Sequence, residues 1–288
     1  MLYKNGSDWL ASKAKKILFF GMSGLGKTYT SNFLRETGDW FHYSVDYRIG
    51  TRYMNEHIVD NFKYHAMQDP FLAELLRSDS IYISSNITFE NLSPLSTYLG
   101  KPGNKSLGGL EITEYQRRQA LHTAAEKAAL IDTIGFIEKS QELYGYDNFV
   151  CDSSGSICEV VDPFNLSDPV LGSLSQKLLL VWIEGSESHT EELIRRFDQN
   201  PKPMYYEPLF LLDCWEKYKK LYKVSANLVD PDQFMRWIYA QALKHRQPRY
   251  AKMAQNWGIK IAAADLEIAN TSKELEYLIA KALDKKNN

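Results

Sequence analysis

Long apolar runs are missing from this chain of 288 residues. Nothing in it approaches the ~20 consecutive apolar residues that a membrane-spanning helix needs. The first sixteen residues, "MLYKNGSDWLASKAKK", hold no continuous apolar stretch, so no secretory leader is expected. Cysteine is scarce as well. The three present, Cys151, Cys158 and Cys214, lack metal-ligand spacing. A small, odd number suits a reducing compartment better than a disulfide scaffold, and a cytoplasmic location is the expectation. Charge of one sign is not in excess either: 34 Lys and Arg stand against 36 Asp and Glu, a net charge of −2. That leaves no global basic field for nucleic acid or an anionic membrane, although a local basic groove is compatible with it. No Ser-His-Asp order, zinc spacing, Gly-x-Ser-x-Gly elbow or internal repeat occurs, and the six histidines are dispersed.

What is present begins with "KKILFFGMSGLGKTYT" at 15–30. Gly21, Gly26, Lys27 and Thr28 satisfy G-x-x-x-x-G-K-[ST], the phosphate-cradling pattern. Its context fits. Ile17–Phe20 reads as a buried strand. Tyr29, Phe33 and Leu34 then fall at helical spacing, and Gly38 ends that helix. In a strand–loop–helix unit, the backbone amides of Gly21, Met22, Ser23, Gly24, Leu25, Gly26, Lys27, Thr28 and Tyr29 converge on phosphate at the positive end of a helix. Lys27 would neutralise the β/γ oxygens and Thr28 would ligate Mg²⁺. A fortuitous glycine turn is the plain alternative. No N-K-x-D guanine reader accompanies the loop, which favours ATP over GTP.

Further strands are expected at "FHYSV" (41–45), "YDNFVCD" (146–152), "KLLLVWIEG" (177–185) and "IKIAAAD" (259–265), with helices between them. That alternation implies parallel pairing. The fold expected is α/β: one domain over 1–288, three layers, a mostly parallel sheet with helices on both faces. Residues about 53–145 read as a large, mainly helical insertion. Within it, 112–143 reads as one long helix with Gly135 as a weak point, and 100–109 has the composition of a flexible surface loop. Ser188 with Glu191, and Thr271 with Glu274, form candidate capping boxes. The final "DKKNN" is expected to fray.

Several local stretches together resemble the shikimate kinase and gluconate kinase branch of P-loop small-molecule kinases. They are "GMSGLGKT", "HYSVDYRIGTR", "FVCDSSGSI", "VWIEGSESHTEELIRRFDQNPKPMYY", "HRQPRYAKMA" and "EIANTSKELEYLIAKAL". The resemblance leaves 53–145 unmatched. It implies a P-loop NTPase fold with kinase chemistry, a third-strand turn at Gly155 under the substrate, a lid at about 195–206 with Lys202 in the place of an arginine, and Arg246 on the substrate side. Ser44 stands where that branch carries the first of two aspartates, and the third-strand turn is "SSGS" rather than a run of glycines. The acceptor is therefore not carried over.

Read from the residues, Asp46 and Asp152 end apolar strands, where open α/β sheets form their ligand crevice. Asp46 would orient or deprotonate an acceptor hydroxyl or hold Mg²⁺ through water, and Asp152 would face Mg²⁺. A turn or cap role is open for each. Arg48 and Arg52 are spaced to clamp an anion from one helical face, with solvated surface arginines as the alternative. Of Arg195 and Arg196, adjacent on a helix, only one can reach a transferring phosphate, and Arg196 is chosen. Arg118, His122 and Glu126, at i, i+4 spacing, read as a solvated face in preference to a polar substrate wall. The function expected is transfer of the ATP γ-phosphoryl group, with Mg²⁺, to an unidentified small hydroxyl compound. An ATPase or nucleotide switch with a protein partner, or a nucleotide or nucleic-acid 5′-kinase, shares the same loop chemistry.

Overall fold

The computed structural model describes residues 2–287. In chain order the elements are α1 (Gly6–Ala11), β1 (Lys16–Phe20), α2 (Lys27–Glu36), β2 (Trp40–Ser44), α3 (Val45–Arg48), α4 (Asn55–Ala66), α5 (Pro70–Arg77), α6 (Ser93–Leu99), α7 (Ile112–Glu142) and β3 (Asn148–Asp152). There follow α8 (Ile157–Val160), α9 (Pro169–Lys177), β4 (Leu179–Glu184), α10 (Glu187–Gln199), α11 (Pro208–Tyr222), α12 (Pro231–Trp257), β5 (Gly258–Ala262), α13 (Ala263–Glu267) and α14 (Ser272–Asn287). The chain divides into two compact units: Met1–Val45, Glu126–Pro201 and Arg236–Asn288 form one, and Asp46–Ala125 with Lys202–Met235 form the other.

The first unit is built on a five-stranded sheet of order β2-β3-β1-β4-β5, and every pairing in it is parallel. Its central strand shows why the sequence folds this way. Ile17, Leu18, Phe19 and Phe20 are all fully buried, as expected of a strand covered on both faces. Each such side chain contributes roughly 1.5–3 kcal/mol over an exposed one. β5 is an edge strand, and its Lys260 reaches Glu184 of β4 at 2.8 Å. At the other edge, Phe41 stacks on Phe149 at 5.7 Å. The second half of α7 closes that side, where the Tyr43 hydroxyl donates to the Ala129 carbonyl at 2.6 Å. α1 is tied to the last helix: the Gly6 amide donates to Asp284 at 2.8 Å and the Trp9 indole to the Glu276 carbonyl at 2.9 Å.

The second unit has no strand of the sheet and is held by side chains reaching the backbone. Tyr115 and Gln119 both donate to the Met204 carbonyl, at 2.7 and 3.2 Å. Gln119 also accepts from the Tyr206 amide at 2.9 Å. Phe234 meets Trp215 and Tyr218 edge-on. The expected flexible loop at 100–109 is pinned: the Gly103 amide donates to the Leu110 carbonyl, the Leu110 amide to the Lys101 carbonyl and the Asn104 amide to the Val229 carbonyl, each at 2.8 Å.

Some expectations need correction. α7 is the single long helix expected, ending at Glu142, and it continues through Gly135, where glycine costs a helix about 1 kcal/mol. The capping box before α10 uses Ser186 and His189, not Ser188 and Glu191. The Thr271–Glu274 box forms, with reciprocal bonds of 3.2 and 3.0 Å. α14 continues through Asn287 where fraying from 284 was expected, and Asn288 lies outside the described residues. β2 ends at Ser44, so Asp46 sits inside a helical turn two residues past the strand.

Candidate functional site

The loop after β1 takes a conformation that only its glycines favour. Gly21, Gly24 and Gly26 have φ of 137, 89 and 87°, a region costly to residues with a Cβ. Gly26 then caps α2 in the left-handed conformation. Lys27 is buried, and its Nζ donates back to the carbonyls of Gly21 and Met22 at 2.9 and 3.0 Å. The ammonium thus lies inside the curl of its own loop. Met22 and Leu25 anchor the loop in the core, while Ser23, Gly24, Thr28 and Tyr29 face outward.

β3 runs beside β1 and delivers Asp152 to the same end of the sheet. The Thr28 hydroxyl donates to Asp152 Oδ2 at 2.6 Å. Asp152 Oδ1 is buried and has no hydrogen-bond partner. Burial raises the Asp152 pKa, with Lys27 and Thr28 opposing. A carboxylate left half-satisfied at 5% exposure is costly, and a divalent cation is a group that would satisfy it. The Thr28 hydroxyl and the Asp152 carboxylate therefore fit Mg²⁺. Among the described residues no group of three His, Cys, Asp or Glu forms a metal cage.

The turn after β3 lies against this loop. The Ser153 amide donates to the Phe19 carbonyl at 3.1 Å, extending the β1–β3 ladder by one bond. Gly155 packs directly on Ser23: a Cβ on Gly155 would overlap Ser23 Oγ and sit 3.1 Å from the Ser23 amide nitrogen. The Gly155 carbonyl accepts from the Tyr250 hydroxyl. One helical turn earlier on α12, Arg246 is buried in an ion pair with Glu159 at 2.7 Å. Burial alone would lower the Arg246 pKa, but Glu159 outweighs it and holds the guanidinium charged.

α10 brings a further cation to the loop. A Cβ on Gly24 would lie 3.7 Å from Arg196 Nη2. Arg195, its neighbour, is instead held bidentately by Glu192 at 2.8 Å. Arg196 meets the same carboxylate more loosely, at 3.4 Å. Phe197 of the same helix stacks on Tyr239 at 3.9 Å. Burial pushes the Tyr239 hydroxyl up, and Arg246 and Arg196 both act on it in opposition.

Lys27, Thr28, Asp152, Gly155, Arg196 and Arg246 all belong to the first unit. Asp46, Arg52 and Lys202 belong to the second. Asp46 is half-buried, while Arg52 and Lys202 are exposed. Arg52 lies in a π-helical turn, Ile49–Tyr53, an irregularity that recurs at functional sites. Arg48 lies over the Tyr53 ring at 5.8 Å.

Of the residues read as a solvated helix face, His122 and Glu126 are buried and Arg118 is part-buried. Arg118 donates to Glu114 at 2.7 Å and to the Tyr98 carbonyl. His122 stacks on Tyr205 at 4.9 Å, and Glu126 is 0% exposed. The sequence reading missed Glu159 and Tyr250 altogether. For Tyr250 the spacing from Arg246, four residues on one helix, was a usable signal.

No protein-family model and no curated protein matches the chain. Among solved structures, a shikimate kinase from Bacteroides thetaiotaomicron aligns over 95% of this chain and 99% of its own, with 13% identity and a TM-score of 0.38. A likeness of that size decides nothing about function. Among the described residues, no helix is long and apolar enough to cross a membrane.

Proposed function

We propose that the chain is an ATP-dependent phosphotransferase that moves the γ-phosphoryl group to a small hydroxyl-bearing acceptor. One observation carries this reading: a positive-φ glycine loop curls around a buried Lys27, with Thr28 bonded to Asp152 beside it. The sheet order supports the placement. Connections leave β1 toward β2 on one side, while β4 lies on its other side. That is a topological switch point, where open α/β sheets bind ligands. Right-handed crossovers running in opposite directions also put helices on both faces, giving three layers.

In this reading the amides of 21–29 hold the triphosphate, and Lys27 Nζ turns from its own carbonyls to the β/γ oxygens. Thr28 and Asp152 hold Mg²⁺, which when bound neutralises charge on those oxygens. Arg196 stabilises charge on the group in transfer. Asp46 orients the acceptor hydroxyl, with Arg52, Lys202, Gly155 and Arg246 on the acceptor side. The acceptor-side assignments rest on sequence position and resemblance. The free, buried cysteines support a reducing, cytoplasmic setting.

The test is transfer of label from γ-labelled ATP to pooled metabolites, with water as the control acceptor. Label appearing in one compound supports a kinase. Release as phosphate alone supports the second reading, an ATPase or switch with a protein partner. That reading has an observation of its own, since Phe71, Tyr64 and Tyr82 of the second unit are 67, 65 and 88% exposed. Asp46→Asn sharpens the choice. Acceptor-dependent turnover should fall ~100-fold with Mg·ATP affinity kept if Asp46 orients the acceptor. Unchanged turnover removes that role.

A further inference from the structure

Glu126 has no place in the machinery above, yet it is among the most buried charged residues, at 0% exposure. It stands on α7, far in sequence from the strands. Its two carboxylate oxygens are used separately. Oε1 accepts from the Ser154 hydroxyl, and Oε2 accepts from the Ser156 hydroxyl at 2.7 Å. These two serines flank Gly155. One carboxylate therefore grips the turn on both sides of the glycine that rests on Ser23 of the loop. Tyr250 holds the Gly155 carbonyl from α12, and the Ser153 amide is held by Phe19 at the end of β1. The turn has little freedom left, and its fixed surface is the one Ser23 packs against.

We propose that Glu126 is a positioning residue of the nucleotide loop, acting through Ser154, Gly155 and Ser156 on Ser23. This rests on the reading of 21–28 as the phosphate loop. The two serine bonds tie the turn to α7 on both sides of Gly155, so it is set more firmly than the chain alone would set it. Preorganisation of that kind keeps the loop amides aimed before the ligand arrives, and its loss appears as weaker binding. Ser154 and Ser156 of "SSGS" are the handles that Glu126 holds.

The experiment measures Mg·ATP affinity by calorimetry on the full chain, with thermal melts alongside. Glu126→Ala should bind about 10-fold more weakly, the cost of a loosened loop. Glu126→Gln should stay within about 2-fold, because the carboxamide accepts from one serine and donates to the other. Gly155→Ala should weaken binding as Glu126→Ala does. Adding Ser23→Gly to it should recover most of the loss relative to Ser23→Gly alone, as expected of coupled neighbours. Glu126→Ala that melts lower but binds Mg·ATP like wild type overturns the proposal and leaves Glu126 a structural residue. If Glu126→Ala does not fold, the Gly155→Ala and Ser23→Gly pair decides, and no recovery overturns the proposal. Lys27→Ala is the control: wild-type affinity there overturns the loop reading and this proposal with it, whereas lost affinity there with an unaffected Glu126→Ala rejects only the latter.

Discussion

The loop at 21–28 and the turn at 153–156 follow neighbouring parallel strands and touch each other, yet they are built by opposite means. The loop makes itself. Three glycines supply its positive φ values, and its own lysine closes it from within. The turn is made by others: Glu126 from α7 and Tyr250 from α12 hold it, across 28 and 95 residues of sequence. A self-made element is spelled in eight consecutive letters. An element held from outside leaves only small polar residues in its own sequence, and its meaning sits elsewhere in the chain.

The way to break the comparison hardest is to remove the charge at Asp152, which ends β3 just before the turn and accepts from Thr28 at the end of the loop. Asp152→Asn keeps the shape at the end of β3 but removes the carboxylate charge that faces Thr28. Mg²⁺-dependent turnover should fall by ~10²–10³, since a metal-side charge is worth several kcal/mol. Titrating Mg²⁺ at fixed ATP should show the loss as a raised metal requirement. Equal turnover at equal Mg²⁺ would detach Asp152 from the metal.

Next in size is the strand that supports β3. His42 of β2 faces Val150 of β3 in register, and burial first, then Arg35, lowers its pKa from 6.5 to about 4. The folded state therefore refuses a proton that the unfolded chain takes up below pH 6.5. Stability should be full above that pH and fall as pH drops toward 4, by about 3 kcal/mol at most. Urea unfolding of wild type and His42→Gln at pH 7 and 4.5 checks it, the variant showing the smaller loss.

The smallest expected effect separates two adjacent arginines. Arg196→Ala should lower turnover ~10-fold, because its guanidinium borders Gly24. Arg195→Ala should change it less than 2-fold, since that side chain is exposed and paired with Glu192. Equal losses from both would remove Arg196 from the site.

Legibility followed the same division. All five strands were readable because buried parallel strands are short apolar runs between turn residues, as in Ile17–Phe20 and Leu179–Ile183, although the last was expected to reach Asp265 and ends at Ala262, just before α13 begins. The phosphate loop was readable because its physics needs particular residues at fixed spacing. α7 was readable as one helix, but its polar side was misjudged. Arg118, His122 and Glu126 look like a solvated stripe when read along the helix, and only the distant partners Tyr98, Tyr205, Ser154 and Ser156 show it packed against the rest of the chain. The ion pair of Glu159 and Arg246 was invisible for the same reason, its members lying 87 residues apart. The position of Asp46 was missed by two residues because the strand passes into helix without any breaker between Ser44 and Val45.

The central claim is that Lys27 sits in a loop made for the phosphates of ATP. Calorimetric titration of Mg·ATP into the wild-type chain and into Lys27→Ala tests it most directly. The account predicts saturable one-to-one binding that weakens ~100-fold in a variant that still unfolds cooperatively, because a fixed charge at the β/γ oxygens is lost. Equal affinity in a well-folded Lys27→Ala protein would contradict it.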